Sequence, residues 1–294
     1  VNYNIKTKEA NAKQKLFDYI ESNYGKKDYD AISIISEPPK GNNATLDLKT
    51  MEMTVLGVKP FVLSENRRVG VVPEGNQIII KKDLEIDFNG KLQAGLAKLY
   101  GKDLTFFYDS FYVSLKDIDS LTLSYKSEEK TKDSVYVYSP VMSKVEEITG
   151  LLRIDDPSNK SGIKTIPLYP ILESHDTSYV YYDSRNEQDT VYNRNSFYFK
   201  NYAFEMDSLN TIIKKNVDIR GMFISGGIFP DFEENLTVQN DSSLGFIHNL
   251  SDKTIQLYEG KGTYDNTITL SNKGLKGSGK VDYLTALVFS EEFI

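Results

Sequence analysis

The sequence contains no cysteine and no tryptophan, and only two histidines, His175 and His248. The absence of cysteine excludes disulfide frameworks, Cys-ligated zinc, iron–sulfur clusters and thiol nucleophiles together. It leaves the compartment open, because a cysteine-free chain is at home inside or outside a cell. No stretch approaches the roughly 18 apolar residues of a membrane helix, so no transmembrane span is expected. Basic residues (35) are outnumbered by acidic ones (42), giving a net charge of −7, and no basic block interrupts the mixture. A nucleic acid would require a positive stripe that releases counterions, so none is expected as a partner.

What is present is a globular composition, with 39% hydrophobic and 26% charged residues in a chain of 294. That length suits one large β domain or two smaller ones. The aromatic residues are 20 Tyr and 15 Phe. Both fit half-buried pleated surfaces, which leans the reading toward strands.

Residues 8–24 carry apolar positions Ala12, Leu16, Tyr19 and Ile20 at helical spacing, with Gly25 as a stop, and predict the one N-terminal helix. A short strand is predicted at Ala31–Ile35. From Leu46 onward the chain alternates apolar and polar residues, as in Leu84-Glu85-Ile86-Asp87-Phe88 and Leu121-Thr122-Leu123-Ser124-Tyr125. Period-two alternation buries one face of a strand and solvates the other. Clusters such as Pro73-Glu74-Gly75-Asn76 punctuate the runs as turns. Segments 92–99 and 205–215 are weaker helical candidates. Residues 126–134 contain no apolar side chain and read as a solvated loop, as does Asp155 to Gly162. The fold class is therefore mainly β: an elongated or layered antiparallel sheet, solenoid- or sandwich-like, with one N-terminal helix. The division expected is 1–125, helix plus first β layer, and 135–294, second β layer, unless the two form one continuous domain.

Short phrases recur. Asp109-Ser110-Phe111-Tyr112 precedes Asp119-Ser120-Leu121, and Asn195-Ser196-Phe197-Tyr198 precedes Asp207-Ser208-Leu209. Gly90 with Gly95, Gly221 with Gly226, and Gly277 with Gly279 share a second pattern. Glycine inside a strand marks a bulge, a bend or close backbone approach. Stacked β layers would produce such recurrence, and so would the small vocabulary of any strand–turn–strand protein.

Catalytic signatures are thin. Glu173-Ser174-His175-Asp176 supplies triad residue types, but adjacency in sequence is not triad geometry, and no Gly-x-Ser-x-Gly elbow occurs. His248 reads as a strand-end or turn residue. Asp155, Asp156, Ser158 and Asn159 offer oxygen ligands of the kind calcium takes, without EF-hand spacing, so a polar turn is the better reading. Gly274 to Lys280 is similar to a phosphate loop but is followed by Val281 where a hydroxyl is needed. No cofactor, metal or catalytic residue is nominated.

The tyrosines Tyr179, Tyr181, Tyr182, Tyr192, Tyr198 and Tyr202 form a belt. Rows of exposed tyrosine suit sugars and protein partners, which makes Tyr179, Tyr181, Tyr182 and Tyr192 the candidate ligand-binding residues. Alternation along strands accounts for the same spacing, with half of the set filling the core.

Finally, Ile86-Asp87-Phe88-Asn89-Gly90-Lys91-Leu92, Tyr100-Gly101-Lys102-Asp103, and Ser225-Gly226-Gly227-Ile228-Phe229-Pro230 carry a resemblance, together with Leu270-Ser271-Asn272-Lys273-Gly274. They resemble segments of very large, uncharacterised envelope-associated proteins of Bacteroidetes-type bacteria, over most of residues 45–294. The resemblance implies one module of a longer β-rich chain, located in the cell envelope, periplasmic or outer-membrane associated. It implies as partners other segments of the same chain or other envelope proteins. Val1 opening mid-pattern and Phe293-Ile294 following a strand-like run fit an excised piece. The leading expectation is a non-catalytic structural or interaction module. A carbohydrate-binding module or glycan-active enzyme, and a lipid-handling β-groove protein, are the alternatives.

Overall fold

The computed structural model describes residues 32–37, 40–130, 136–183 and 192–293. The helix expected over 8–24 lies outside these residues. Residues 32–35 form no strand; the expected pairing is reduced to an isolated bridge between Ser36 and Val58.

In chain order the strands are β1 (Ala44–Asp47), β2 (Glu52–Leu56), β3 (Phe61–Ser64), β4 (Val69–Pro73), β5 (Gln77–Ile80), β6 (Ile86–Ala94) and β7 (Ala97–Phe107). They continue with β8 (Tyr112–Lys130), β9 (Tyr136–Pro140), β10 (Ile148–Arg153), β11 (Ile171–Ser174), β12 (Ser178–Tyr181), β13 (Phe197–Asn201) and β14 (Phe204–Met206). The last six are β15 (Asp218–Ser225), β16 (Phe232–Val238), β17 (Leu244–Leu257), β18 (Gly262–Ser271), β19 (Gly274–Tyr283) and β20 (Ala286–Phe293). They form two antiparallel sheets, one of twelve strands and one of eight, the latter ordered β12-β13-β15-β16-β17-β18-β19-β20. Helical structure among the described residues is confined to short 3-10 turns.

Two expected helices are therefore corrected. Residues 92–99 form the β6–β7 hairpin, with Leu92 opposite Leu99 and Ala94 opposite Ala97 around Gly95-Leu96. Leu, Ala, Lys and Gln favour helices individually, but cross-strand pairing with β4 and β7 overrides that weak preference. Segment 205–215 holds the end of β14, a loop, and part of a 3-10 turn at Lys214–Asn216. The loop expected at 126–134 is also corrected in part. Lys126–Lys130 extend β8 and pair with β9, and the Lys126 ammonium lies 3.3 Å from the centre of the Tyr136 ring. A strand exposed to water carries polar residues as readily as a loop does.

The chain divides into two compact units, each discontinuous in sequence. The first takes residues up to Ser120, then Ile148–Glu173 and Glu205–Thr211. Its core follows the alternation of β6 and β7: Phe88, Leu92, Leu99, Leu104 and Phe106 are buried, joined by Val113, Leu115, Ile148 and Leu152. Burying one such side chain fully stabilises the fold by about 1.5–3 kcal/mol. A buried ion pair closes this unit. Arg67 Nε donates to Asp155 Oδ2 at 2.6 Å and Nη2 donates to Oδ1 at 3.0 Å. The guanidinium also donates to the Ile166 carbonyl, and Asn159 donates to Asp155, so the charges are matched and hydrogen-bonded.

The second unit takes Leu121–Glu147, Ser174–Phe204 and the chain from Ile212. Its core is a run of phenylalanines. Phe197 meets Phe223 edge-on at 5.3 Å between ring centres, and Phe223 meets Phe246 at 5.1 Å. Gly221 stands two residues before Phe223 in β15, where a Cβ would strike the Lys200 carbonyl and the Phe199 ring.

Candidate functional site

Two surfaces of the second unit merit description. The first is built on β12 and β13. Residues i and i+2 of a strand share a face, so Tyr179 and Tyr181 stand side by side, their rings stacked at 5.8 Å and 18°. The antiparallel register sets Tyr181 opposite Tyr198, whose ring touches both. Arg194 lies over Tyr181, its guanidinium carbon 3.8 Å from the ring centre. The same guanidinium pairs with Glu146 and with Asp183. Burial would lower its pKa, and Glu146 outweighs that, leaving the group more firmly charged than usual. The Tyr181 hydroxyl donates to Glu147 at 3.0 Å. Its pKa is pushed up to about 12, first by burial and then by that carboxylate. Farther along the face, Tyr202 and Arg220 both hold Glu233, whose carboxyl is kept below the usual range.

Of the four candidate tyrosines, the structure brings Tyr179 and Tyr181 together and places the other two elsewhere. Tyr182 follows Tyr181 and so points to the opposite face. It is buried against Phe197, and its hydroxyl donates to the Leu244 carbonyl. Tyr192 packs edge-on against Phe197, with its hydroxyl accepting from the Leu275 amide. Tyr198, a member of the belt, takes its place through the β12–β13 register, and Arg194 joins from the loop before β13. Tyr179, Tyr198 and Arg194 all pack on the Tyr181 ring, so the cluster covers part of its own ring surface.

Several residues weighed for chemistry are engaged by neighbours in the fold. The Ser174 hydroxyl donates to the Asp176 carbonyl. His248 lies inside β17, not at a strand end; its Nδ1 is 2.6 Å from Glu234 and its ring stacks on Phe232 at 4.3 Å. Asp155 is engaged by Arg67, and Asp156 accepts from the Ser158 amide and hydroxyl, so the loop is a capped polar turn. Gly274–Lys280 is strand β19. Among the described residues no group of three or more His, Asp or Glu is arranged to hold a metal ion. A cavity of about 460 Å³ in the first unit is lined by Lys81, Asp87 and Thr105, and these three are hydrogen-bonded to one another through Asp87.

The second surface is the β18–β20 end of the eight-stranded sheet. Cross-strand partners share a face, so Tyr264, Val281 and Val288 line one side, and Asp265, Lys280 and Phe289 the other. Tyr264 lies across Gly277. Its hydroxyl is 2.5 Å from the Thr267 carbonyl and 2.8 Å from that of Ser278, donating to one or the other. Beyond this ring the cover stops. Leu284 is 71% exposed, Leu287 53%, Val288 46% and Phe289 70%. The outer edge of β20 has no neighbouring strand among the described residues.

Comparison with known proteins finds no matching family model, no matching curated protein and no matching solved structure.

Proposed function

We propose that this chain is a non-catalytic structural or interaction module of a large, β-rich cell-envelope protein, whose layered sheets are joined to further polypeptide through an exposed sheet end. The observation that carries the reading is the β18–β20 surface, where Leu287 and Phe289 on one face and Val288 on the other stand in water. Apolar side chains on both faces of an unpaired edge strand invite another chain. The resemblance to envelope-associated proteins supplies the location, and the net charge of −7 argues against a polyanionic surface as the partner. The test is fractionation of cells expressing the whole protein with an epitope tag inserted in this segment. Recovery with the envelope supports the reading; recovery as free cytosolic protein overturns it.

A second reading, binding of a glycan, draws on the Tyr179–Tyr181–Tyr198 cluster with Arg194 and its carboxylates on one face. Saturable binding of neutral oligosaccharides that is lost in Tyr179→Ala would favour it.

A further inference from the structure

We infer that the cavity of about 460 Å³ in the first unit is a binding site for a neutral sugar, a single pyranose ring held by hydrogen bonds to side chains of β5–β8 and of the turn before β5. The site lies wholly within the first unit, and binding there is independent of the module reading and of the tyrosine cluster. Its volume falls within the roughly 300–1,000 Å³ of small-molecule sites.

The floor of the cavity is one face of adjacent strands. Ile79 on β5 faces Asp87 on β6, and Asp87 faces Thr105 on β7, so the three share one side of the sheet. Their sequence neighbours Phe88, Leu104 and Phe106 alternate to the other side and are buried in the core. Asp87 ties the floor together: the Lys81 ammonium lies 2.6 Å from its Oδ2, and the Thr105 hydroxyl donates to its Oδ1 at 2.8 Å. A bulge shapes one wall. Phe88 faces Leu104 and Gly90 faces Gly101, which leaves Asn89 alone against Lys102 and Asp103. Asp103 takes a left-handed φ of +51°, and its amide donates to Asn89 Oδ1 at 2.9 Å. Bulges re-aim side chains, and a non-glycine residue held at positive φ is a local cost of the kind that binding sites carry. The turn at Glu74–Asn76 makes another wall, where Glu74 accepts from the Tyr100 hydroxyl at 3.1 Å.

The groups left unengaged define the ligand. Among the described residues the Asp103 carboxylate, the Asn89 Nδ2 group, the Gln77 amide and the Lys116 ammonium have no side-chain partner within the chain, and all four residues line the cavity. They set acceptors beside donors, and the adjacent hydroxyls of a sugar ring both give and accept hydrogen bonds. Other ligand classes fit worse. An anion would meet the carboxylates of Glu74, Asp87 and Asp103, with Lys81 already held by Asp87. A cation would come beside Lys116. An apolar molecule would strip water from charged and amide groups and return no hydrogen bond. No three His, Asp or Glu among the described residues are arranged to share a metal ion.

The experiment is a saturation-transfer NMR titration of the full 294-residue chain with the methyl glycosides of glucose, galactose, mannose and N-acetylglucosamine at millimolar concentration. Saturable binding of at least one of them is expected. Asp103→Asn with Lys116→Ala should weaken it by at least about tenfold, because hydrogen bonds to charged groups are the strong ones. An unchanged thermal melt would show that the fold is retained. Gln77→Ala, at an exposed residue, is the milder second variant and should weaken binding by about threefold. Tyr179→Ala should leave binding unchanged. Absence of saturable binding by all of these glycosides, or binding unaffected by both cavity variants, would overturn the inference. Binding lost in Tyr179→Ala would overturn it in favour of the tyrosine face. Displacement of the bound glycoside by spermidine or inorganic phosphate at lower concentration would overturn it too, assigning the cavity to a charged ligand. The envelope fractionation reads location alone, so failure of either result is attributable to its own claim.

Discussion

The β6–β7 and β19–β20 hairpins are built alike and live in opposite surroundings. Each closes through two residues, Gly95-Leu96 in one and Leu284-Thr285 in the other. Each carries a register shift at a glycine, at Gly90 in the first and between Gly277 and Gly279 in the second. Yet β6 is buried along one face at every second residue, while β20 is exposed through its first four. The sequences differ accordingly. Ile86-Asp87-Phe88-Asn89 alternates, as a strand with one covered face must, whereas Ala286-Leu287-Val288-Phe289 does not. Hairpin geometry is thus local, set by turn and register, and burial depends on what covers the faces. An unalternating apolar run in a strand leaves apolar side chains on both of its faces.

The contrast can be broken most severely at its covered end. Phe106→Ala, at a residue with 0% exposure, should cost about 3–5 kcal/mol in urea denaturation. A cost below about 1 kcal/mol would show that the first unit is not packed as described.

The two glycines at matched bulges sharpen the comparison. Gly90 has φ +124°, and a Cβ there would meet the backbone of Val72 and Glu74, neither of which can turn aside. Gly90→Ala should cost about 2–4 kcal/mol, from left-handed strain and overpacking together. At Gly277 the obstacle is only the Tyr264 side chain, which can swing away at the expense of its hydrogen bond. Gly277→Ala should therefore cost less, about 1–2 kcal/mol. Equal costs would remove the distinction.

A smaller effect belongs to Tyr181. Its folded pKa of about 12 exceeds the ordinary value of 10, so the phenol stays protonated in the folded chain where the unfolded chain has already ionised. The stability this contributes is complete below pH 10 and is lost as pH rises toward 12. Tyr181→Phe should flatten that part of the stability profile, and absorbance titration at alkaline pH should lose a late-ionising phenol. Smallest of all, Phe289→Ala should change stability by no more than about 0.5 kcal/mol, because its ring lies in water.

Alternation made strands such as β6 and β8 through Tyr125 legible in the sequence. It did not reveal that Lys126–Lys130 stay in the sheet, because a strand wetted by solvent needs no apolar residue. Nor did it separate the hairpin at 92–99 from a helix, since Ala and Leu there serve pairing with β4 and β7 that only tertiary structure supplies. Of the tyrosines, the pleat alone determines that consecutive Tyr181 and Tyr182 face opposite ways, so one of them had to leave any common surface. That Tyr198 and Arg194 complete the cluster depends on the β12–β13 register and the loop before it, and no local pattern encodes a register.

The Tyr264 ring laid over Gly277 carries one more implication. Two long neighbouring strands with repetitive glycine and serine could settle in several alignments, and Gly277 beneath the ring tells the present one from its one-residue neighbours. A slip of β19 by one position would set Lys276 or Ser278 there and push the phenol off its carbonyl acceptors. The tyrosine and glycine therefore act like the notch and pin of a gauge against a one-residue slip, the slip that would turn every side chain of β19 to the opposite face of the sheet.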